Sequence, residues 1–249
     1  MTTTTMPPVL SWPRRAARAA YVVYGAAVIA AVMVPTWFAT LFVRRPARAL
    51  ALQRLASRLM LAALGCRFVV RGAWPPSGTG ARVLVANHTS YLDIPLMLAA
   101  LGGDFVFVTK SELLGWPIIS RLTRAGGHIP VDRERAASRA AALGRIVAAL
   151  RAGRSVLLFP EGTFSHDDRL RPFHAGAFRC AVTAGVPVVP IGVCGVAGVW
   201  SQHARFPRPG RIEVDVGEAL VPTGGDDADE IERLETEALR FITAALGHD

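Results

Sequence analysis

Hydrophobic residues are distributed in two different ways along this chain of 249 residues. The stretch from Ala19 to Val43 contains no charged residue, whereas from Cys66 onward short apolar runs alternate with longer segments of mixed character. Short apolar runs bounded by glycine, proline or polar residues are typical of buried strands, and longer periodic segments are typical of helices. This alternation predicts an α/β fold with a mostly parallel central sheet that is covered by helices.

The boundaries of the predicted elements follow from those runs. Strands are expected at Cys66–Arg71, Arg82–Ala86, Asp104–Thr109, Gly127–Val131, Ser155–Phe159, Pro187–Val193 and Ile212–Val216. Helices are expected at Ile94–Leu101, Pro117–Arg124, Arg133–Ala152, Gly176–Ala184 and Ala228–Leu246. Because proline cannot donate a ladder hydrogen bond, Pro187 and Pro190 predict that their strand lies at an edge or at another irregular place in the sheet.

The uncharged stretch near the N-terminus predicts a membrane-associated segment. It exceeds the roughly 20 residues that cross a bilayer, but Pro35 is expected to interrupt its helix, and arginines stand on both flanks. Pro46 to Leu64 follows as a predicted basic amphipathic helix with leucines opposite arginines. Two arrangements remain open: a transmembrane anchor followed by a surface helix, or a broken helical hairpin that dips into one leaflet. The matching arginine flanks favour the hairpin.

These patterns divide the chain into three predicted parts. Residues 1–11, which contain a threonine run and paired prolines, are expected to form a disordered tip. Residues 12–65 form the membrane-anchoring helical segment, and residues 66–249 form the α/β domain. A domain of that length can enclose one large hydrophobic core.

Charge and composition restrict the class of partner. The formal net charge is +9, Lys110 is the only lysine, 51% of the residues are hydrophobic, and the mean hydropathy is +0.34. A basic, apolar chain suits an anionic membrane surface or a phosphorylated substrate. The five tryptophans follow no nucleic-acid-binding motif, so no nucleic-acid partner is expected. No metal site is expected either, because His-Glu-x-x-His is absent and His166-Asp167-Asp168 is more typical of a solvated turn.

The most informative motif lies where a predicted strand ends and a helix begins. His88 follows the apolar run Arg82–Ala86, and Asp93 comes five residues later. On one regular helix these two residues would not share a face, so they can meet only if the chain bends between them. A carboxylate on one ring nitrogen fixes the histidine tautomer and leaves the other nitrogen to act as a general base. The alternative is a partly buried turn histidine with Asp93 as a helix N-cap.

Two further loops carry candidate binding residues. Arg133 follows a predicted strand and opens a long helix, where the helix N-terminus and the guanidinium together favour a phosphate. Alternatively, Asp132 caps that helix and Arg133 is solvated. Glu161 lies in a Pro-Glu-Gly turn after another buried strand, where it can accept substrate hydroxyls or fix the loop. An ordinary turn glutamate is the third possibility.

Four blocks in this order resemble the lysophospholipid (glycerolipid) acyltransferases, in particular the bacterial 1-acylglycerol-3-phosphate type: the motif of His88 and Asp93, the loop of Arg133, the turn of Glu161 and the strand Pro187–Val193. Two of the blocks carry the signature pair of the family. They are Asn-His-x4-Asp, which begins at Asn87, and Phe-Pro-Glu-Gly-Thr, which begins at Phe159, and the resemblance extends from Val83 to Val193. It implies a glycerolipid acyltransferase fold and an enzyme on the cytoplasmic face of the inner (plasma) membrane. It also implies an acyl-CoA or acyl-carrier-protein donor as co-substrate, without a further cofactor.

The same resemblance implies roles for individual residues. His88 would be the general base and Asp93 its partner. Arg133 would bind the acceptor phosphate. Glu161, Gly162 and Thr163 would contribute to acceptor binding.

Two departures from the family pattern concern the acceptor. Phe164 stands where many members have arginine, and His174 stands where lysine is usual. The expected function is the transfer of a fatty acyl group to a lysophospholipid, most simply from 1-acylglycerol-3-phosphate to phosphatidic acid. Three alternatives remain open: another lyso-lipid acceptor such as a lyso-aminolipid, a membrane-associated thioesterase, and a non-catalytic membrane adaptor.

Overall fold

The computed structural model describes residues 12–72, 80–163, 170–200, 207–224 and 227–247. The helices are α1 (Trp12–Phe42), α2 (Pro46–Ala63), α3 (Asp93–Ala100), α4 (Pro117–Gly126), α5 (Ala136–Arg151), α6 (Gly176–Ala184), α7 (Val196–Val199) and α8 (Asp227–Leu246). The strands are β1 (Cys66–Arg71), β2 (Val83–Ala86), β3 (Phe105–Lys110), β4 (Ile129–Val131), β5 (Ser155–Leu158), β6 (Val188–Cys194) and β7 (Gly210–Val216). The predicted disordered tip lies outside the described residues.

The seven strands form one sheet in the order β1-β7-β6-β2-β5-β3-β4. Every pair is parallel except β6 and β7, which are antiparallel. Helices α2 and α3 contribute to the core on one face, and α5, α6 and α8 contribute to the core on the other. All four residues of β2 are fully buried, as expected for a strand covered on both sides. The predicted fold class is therefore confirmed.

The topology gathers four loops at one edge of the sheet. Strands β2, β5, β3 and β4 lie side by side and parallel, so their carboxyl ends open at the same edge. In open α/β sheets this edge is where ligands bind. The loops after β2, β5 and β4 carry His88, Glu161 and Arg133, and Lys110 is the last residue of β3.

Some predicted details need correction. The strand that follows Pro187 and contains Pro190 lies inside the sheet, between β2 and β7, rather than at an edge. Its place is the irregular one that the sequence also allowed, because the sheet changes there from parallel to antiparallel pairing. It tolerates Pro190 because the antiparallel ladder with β7 begins only at Ile191, while the Pro190 carbonyl accepts the N–H of Gly217. Helix α5 begins at Ala136 rather than Arg133, because the Asp132 carboxylate binds the next backbone amides in a turn. The short α7 and a 3₁₀ turn at Ser111–Gly115 were not predicted.

The N-terminal helices differ from prediction at Pro35. Helix α1 continues unbroken through this residue, although Pro35 cannot donate a backbone hydrogen bond. A broken helix is therefore wrong, but α1 and α2 do pack against each other as a pair. Helix α2 also contributes Leu50 and Leu61 to the core, and Leu64, which caps its C-terminal end, lies in the same core. The predicted domain boundary at residue 66 stays a prediction.

Two arginines of α2 bind backbone carbonyls of the α/β domain. Arg54 donates to the carbonyls of Gly102 and Gly103, and Arg58 donates to Ala99 at 3.0 Å, so both side chains point to the α/β domain. The side chains that face outward are Leu55 and Leu59, which are 56% and 55% exposed. The helix is therefore not divided into one face of leucines and one of arginines: Leu50 and Leu61 are buried, Leu55 and Leu59 are exposed, and the guanidinium groups of Arg54 and Arg58 bind carbonyls at the end of α3.

A buried polar contact connects α2 to the sheet. His128, just before β4, accepts the N–H of Phe107 on Nδ1 at 3.1 Å and donates from Nε2 to Gln53 of α2, also at 3.1 Å. Burial lowers the pKa of His128 to about 4, so the imidazole is neutral at neutral pH. This histidine therefore links α2 to β3 through one hydrogen bond to each.

Candidate active site

His88 and Asp93 meet at the end of β2. The chain turns after Ala86, and α3 begins at Asp93, which brings the Asp93 Oδ2 atom to 2.7 Å from His88 Nδ1. The same oxygen accepts the backbone N–H groups of Thr89 and Ser90 at 2.8 and 2.9 Å. The carboxylate thus closes the turn that precedes it and does not cap its own helix, so the N-cap alternative is wrong.

The accessibility of this pair suits a general base. Asp93 is fully buried, whereas the His88 side chain is 11% exposed. Because Nδ1 donates to Asp93, Nε2 is the nitrogen that can take a proton. The predicted catalytic role of the two residues stays a prediction, but their geometry meets the requirement for it.

The backbone before His88 is fixed by a side chain that mimics a strand partner. The Asn87 amide donates to the carbonyl of Val193 at 2.9 Å and accepts the Val193 N–H at 2.8 Å. This pair extends the β2–β6 ladder by side-chain contacts after its last backbone partners, Ala86 and Ile191. The sequence motif contains Asn87, but nothing in its spacing indicates a bond to a residue 106 positions away.

Glu161 reaches the same histidine from the turn after β5. Its Oε1 atom accepts the His88 backbone N–H at 2.7 Å, and Oε2 accepts the Arg171 N–H at 3.0 Å. Burial raises the pKa of Glu161 above its usual range, and the two backbone hydrogen bonds oppose that shift. These contacts fix the loop, which was one of the roles that the sequence allowed. The predicted acceptor-binding role stays a prediction.

Arg133 is brought to this turn from two strands away. Its guanidinium donates to the carbonyl of Gly162, and burial lowers the pKa of Arg133. Gly162 has a φ of +73°, and a Cβ there would lie 3.1 Å from the His174 ring, so glycine fits both the backbone and the space. Thr163 follows, exposed on the turn. The structure therefore joins the three predicted loops into one site.

Lys110 is a candidate that the sequence analysis missed. It ends β3 beside Val131 of β4, two residues before Arg133. Its ammonium group lies 3.0 Å from the Glu112 carboxylate. Burial lowers the pKa of Arg133, and the negative charge of Glu112 acts against that larger effect. The position of Lys110 as the last residue of an apolar run was the only available signal, and an exposed lysine at a strand end is common.

No group of three or more His, Cys, Asp or Glu side chains that could hold a metal is found in the described part of the chain. The predicted absence of a metal site stays a prediction, because His166-Asp167-Asp168 lies outside the described residues.

Comparison with known proteins gives one consistent family. Residues 51–194 match the family model described as Acyltransferase. A 1-acyl-sn-glycerol-3-phosphate acyltransferase from Brassica napus chloroplasts is 40% identical over 124 residues, which cover 50% of this chain and 36% of that protein. The human alpha enzyme of the same name is 35% identical over 173 residues, which cover 68% and 60%. The chain thus spans less than two thirds of these curated relatives.

A solved structure shares the fold. The 1-acyl-sn-glycerophosphate (LPA) acyltransferase PlsC from Thermotoga maritima matches 92% of this chain and 97% of its own with a TM-score of 0.74. The sequence identity is 22%, so this likeness concerns the architecture of the chain.

Proposed function

The chain belongs to the acyltransferase family, and we propose that it transfers a fatty acyl group from an acyl thioester to the hydroxyl of a lysophospholipid. The acceptor that the names of the relatives support best is 1-acylglycerol-3-phosphate, with phosphatidic acid as the product. The single observation that carries the proposal is the 2.7 Å contact between His88 Nδ1 and Asp93 at the ligand edge of the sheet. This contact leaves Nε2 to act on an incoming hydroxyl.

The reaction follows from this arrangement. His88 Nε2 takes the proton of the acceptor hydroxyl as its oxygen forms a bond to the thioester carbonyl carbon. The carbon–sulfur bond then breaks, the acyl group remains on the acceptor as an ester, and the departing thiolate takes the proton from Nε2. Asp93 stabilises the imidazolium between these steps. Proton transfer of this kind typically contributes about 10²–10⁴-fold to the rate.

Binding of the acceptor is assigned to the cationic side of the site. Arg133 follows β4, and Lys110 is the last residue of the neighbouring β3. Their guanidinium and ammonium groups suit a phosphate. Gly162 and Thr163 complete the turn between these cations and His88. The donor is acyl-CoA or an acyl-carrier protein, and the reaction scheme uses no further cofactor.

The same proposal places the enzyme at the cytoplasmic face of the inner membrane. Ala19–Phe42 within α1 is long and apolar enough to cross a membrane, with a mean hydropathy of 1.9. However, Tyr21 donates to Leu64 at 2.9 Å and Arg121 donates to Thr40, so both ends of the stretch are bonded to the rest of the fold. These bonds favour the arrangement in which the two helices lie in one leaflet. They count against the alternative in which α1 crosses the bilayer.

A single product analysis tests the reaction. Purified enzyme is offered a mixture of lysophospholipids and acyl thioesters, and the products are identified by mass spectrometry, with His88→Ala as the control. A diacyl phospholipid that appears only with the native enzyme supports the proposal, and its identity names the acceptor, including a lyso-aminolipid. Release of fatty acid without a new ester would indicate a thioesterase, and absence of donor turnover would indicate an adaptor.

The membrane arrangement is tested separately. A tag at the N-terminus is expected to be reached by protease from the cytoplasmic side of membrane vesicles. Digestion only from the opposite side would show that α1 crosses the bilayer, and would contradict the one-leaflet arrangement.

A further inference from the structure

The turn after β5, Phe159 to Glu161, contacts His88 at two different points. The Phe159 ring stacks on the imidazole with centroids 4.0 Å apart and an angle of 12° between the planes. Two residues later, Glu161 accepts the backbone N–H of the same histidine at 2.7 Å. Both side chains are buried, with 8% and 3% exposed. One short turn therefore touches the ring and the backbone of the proposed base.

The stacking contact supplies a restraint that the dyad lacks. The hydrogen bond from Nδ1 to Asp93 fixes the position of that ring atom, but it does not by itself prevent the imidazole from rocking about the bond. A flat aromatic ring against one face of the imidazole opposes this motion, because rocking would separate the two surfaces or force them to collide. Nε2 then stays aimed in one direction.

The environment of Glu161 argues that it acts on the protein itself. Its two carboxylate oxygens accept backbone N–H groups from His88 and Arg171, and the side chain is almost completely enclosed. A glutamate that binds the lipid acceptor has to direct a carboxylate oxygen at that substrate. A carboxylate that holds two chain segments together has a different use, which is to fix the His88 backbone.

We propose that Phe159 and Glu161 are positioning residues for His88, with Phe159 fixing the plane of the imidazole and Glu161 fixing its backbone. This inference rests on the proposed function of His88 as the base. It assigns Glu161 a role in kcat, whereas the resemblance to the family implied a role in acceptor binding.

The first experiment replaces the ring without introducing a polar group. Phe159→Leu is expected to lower kcat roughly 10–100-fold, since a small misplacement of a catalytic group costs up to about that much, while acceptor KM stays within about twofold. Phe159→Tyr keeps the ring and is expected to restore most of kcat. Phe173→Leu is the matched control, because Phe173 is also 8% exposed and also stacks on an aromatic ring, that of Phe178, in the other core.

A spectroscopic measurement checks the stacking without reference to activity. In the full-length enzyme with ¹³C-labelled histidine, the ring protons of His88, assigned with His88→Gln, are expected to carry a ring-current shift that Phe159→Leu removes and Phe173→Leu retains. This measurement separates the two proposals. A stack that is present in a protein without transferase activity would contradict the proposed function and leave the packing of His88 intact.

Glu161→Gln tests the second contact. The amide oxygen can accept only one of the two backbone N–H groups, so kcat is expected to fall roughly 10–100-fold with acceptor KM nearly unchanged. A large rise in acceptor KM with kcat retained would overturn the assignment of Glu161 and return it to acceptor binding. Equal losses of kcat in Phe159→Leu and Phe173→Leu, corrected for the folded fraction, would overturn the assignment of Phe159.

Discussion

The centre of the site and its cationic side are built in opposite ways. At the centre, His88 is held by Asp93, Glu161 and Phe159, all of which are buried and make contacts at short distances. On the cationic side, Lys110 and Glu112 form an exposed ion pair, with 49% and 51% of their side chains accessible. Exposed ion pairs contribute little and rearrange readily.

This difference indicates a division of labour. A base must be aimed before the substrate arrives, because reorganisation during the reaction would raise the barrier. A phosphate group, in contrast, can be bound by long side chains that adjust to it, since much of the attraction is between charges. The residues around His88 therefore determine the reaction, and the cationic side determines which acceptor head group is bound.

The largest effect is expected at the centre. His88→Ala removes the proton acceptor and should lower kcat by about 10²–10⁴-fold, the usual contribution of a general base. Membrane association should change little, but the unfolding transition should move to a lower temperature, because the imidazole packs on Phe159 and binds the buried Asp93 carboxylate. Single-turnover rates with circular dichroism as a folding control measure this. Retained activity would remove His88 from the mechanism.

The second prediction separates charge from geometry in the dyad. All three hydrogen bonds to Asp93 use Oδ2, and among the described residues no donor reaches Oδ1. In Asp93→Asn the amide oxygen can therefore keep all three contacts while the NH₂ group occupies the other position. The turn should remain intact, and kcat should fall by roughly 10²–10³-fold through loss of the negative charge beside the imidazolium. A fall of less than about tenfold would show that the charge is not needed.

The sequence predicted the centre better than its surroundings, for physical reasons. Apolar runs locate strands, and the carboxyl ends of parallel strands open at one edge, so the gathering of His88, Glu161 and Arg133 could be expected. The contact between His88 and Asp93 also required a bend in the chain that their spacing alone did not show. Helical periodicity could not tell which face of α2 is outward, because its arginines and leucines are both compatible with either environment. The bonds from Asn87 to Val193 and from Arg58 to Ala99 depend on tertiary packing between distant segments.

The third prediction moves to the cationic side. Arg133→Ala should raise the acceptor KM roughly 10–100-fold, since a hydrogen bond to a charged group is worth about 1.5–3 kcal/mol. Thioester KM should change much less. Arg135→Ala is the matched control, because the Arg135 side chain is 82% exposed and pairs with Asp132 at 3.3 Å. A loss of kcat without a change in acceptor KM would show that Arg133 acts by supporting Gly162, whose carbonyl it binds.

The smallest effect is expected where the two regions differ most, at the exposed pair of Lys110 and Glu112. Glu112 forms an ion pair with the Lys110 ammonium group, to which a phosphate would bind in its place. Its negative charge also opposes the lowering of the Arg133 pKa by burial. Glu112→Gln should therefore lower the acceptor KM, by no more than about fivefold because exposed pairs are weak, and the gain should shrink as salt is added.

Glu134→Gln, another exposed carboxylate close to Arg133 in the sequence, should leave the acceptor KM unchanged. Initial rates at low and high ionic strength measure both variants. An increase in acceptor KM for Glu112→Gln would mean that this carboxylate helps to hold the head group, as it would for an acceptor that carries its own amine. The cationic side would then select a zwitterionic lipid. Lys110 and Arg133 would bind the phosphate of its head group, and Glu112 would bind the amine.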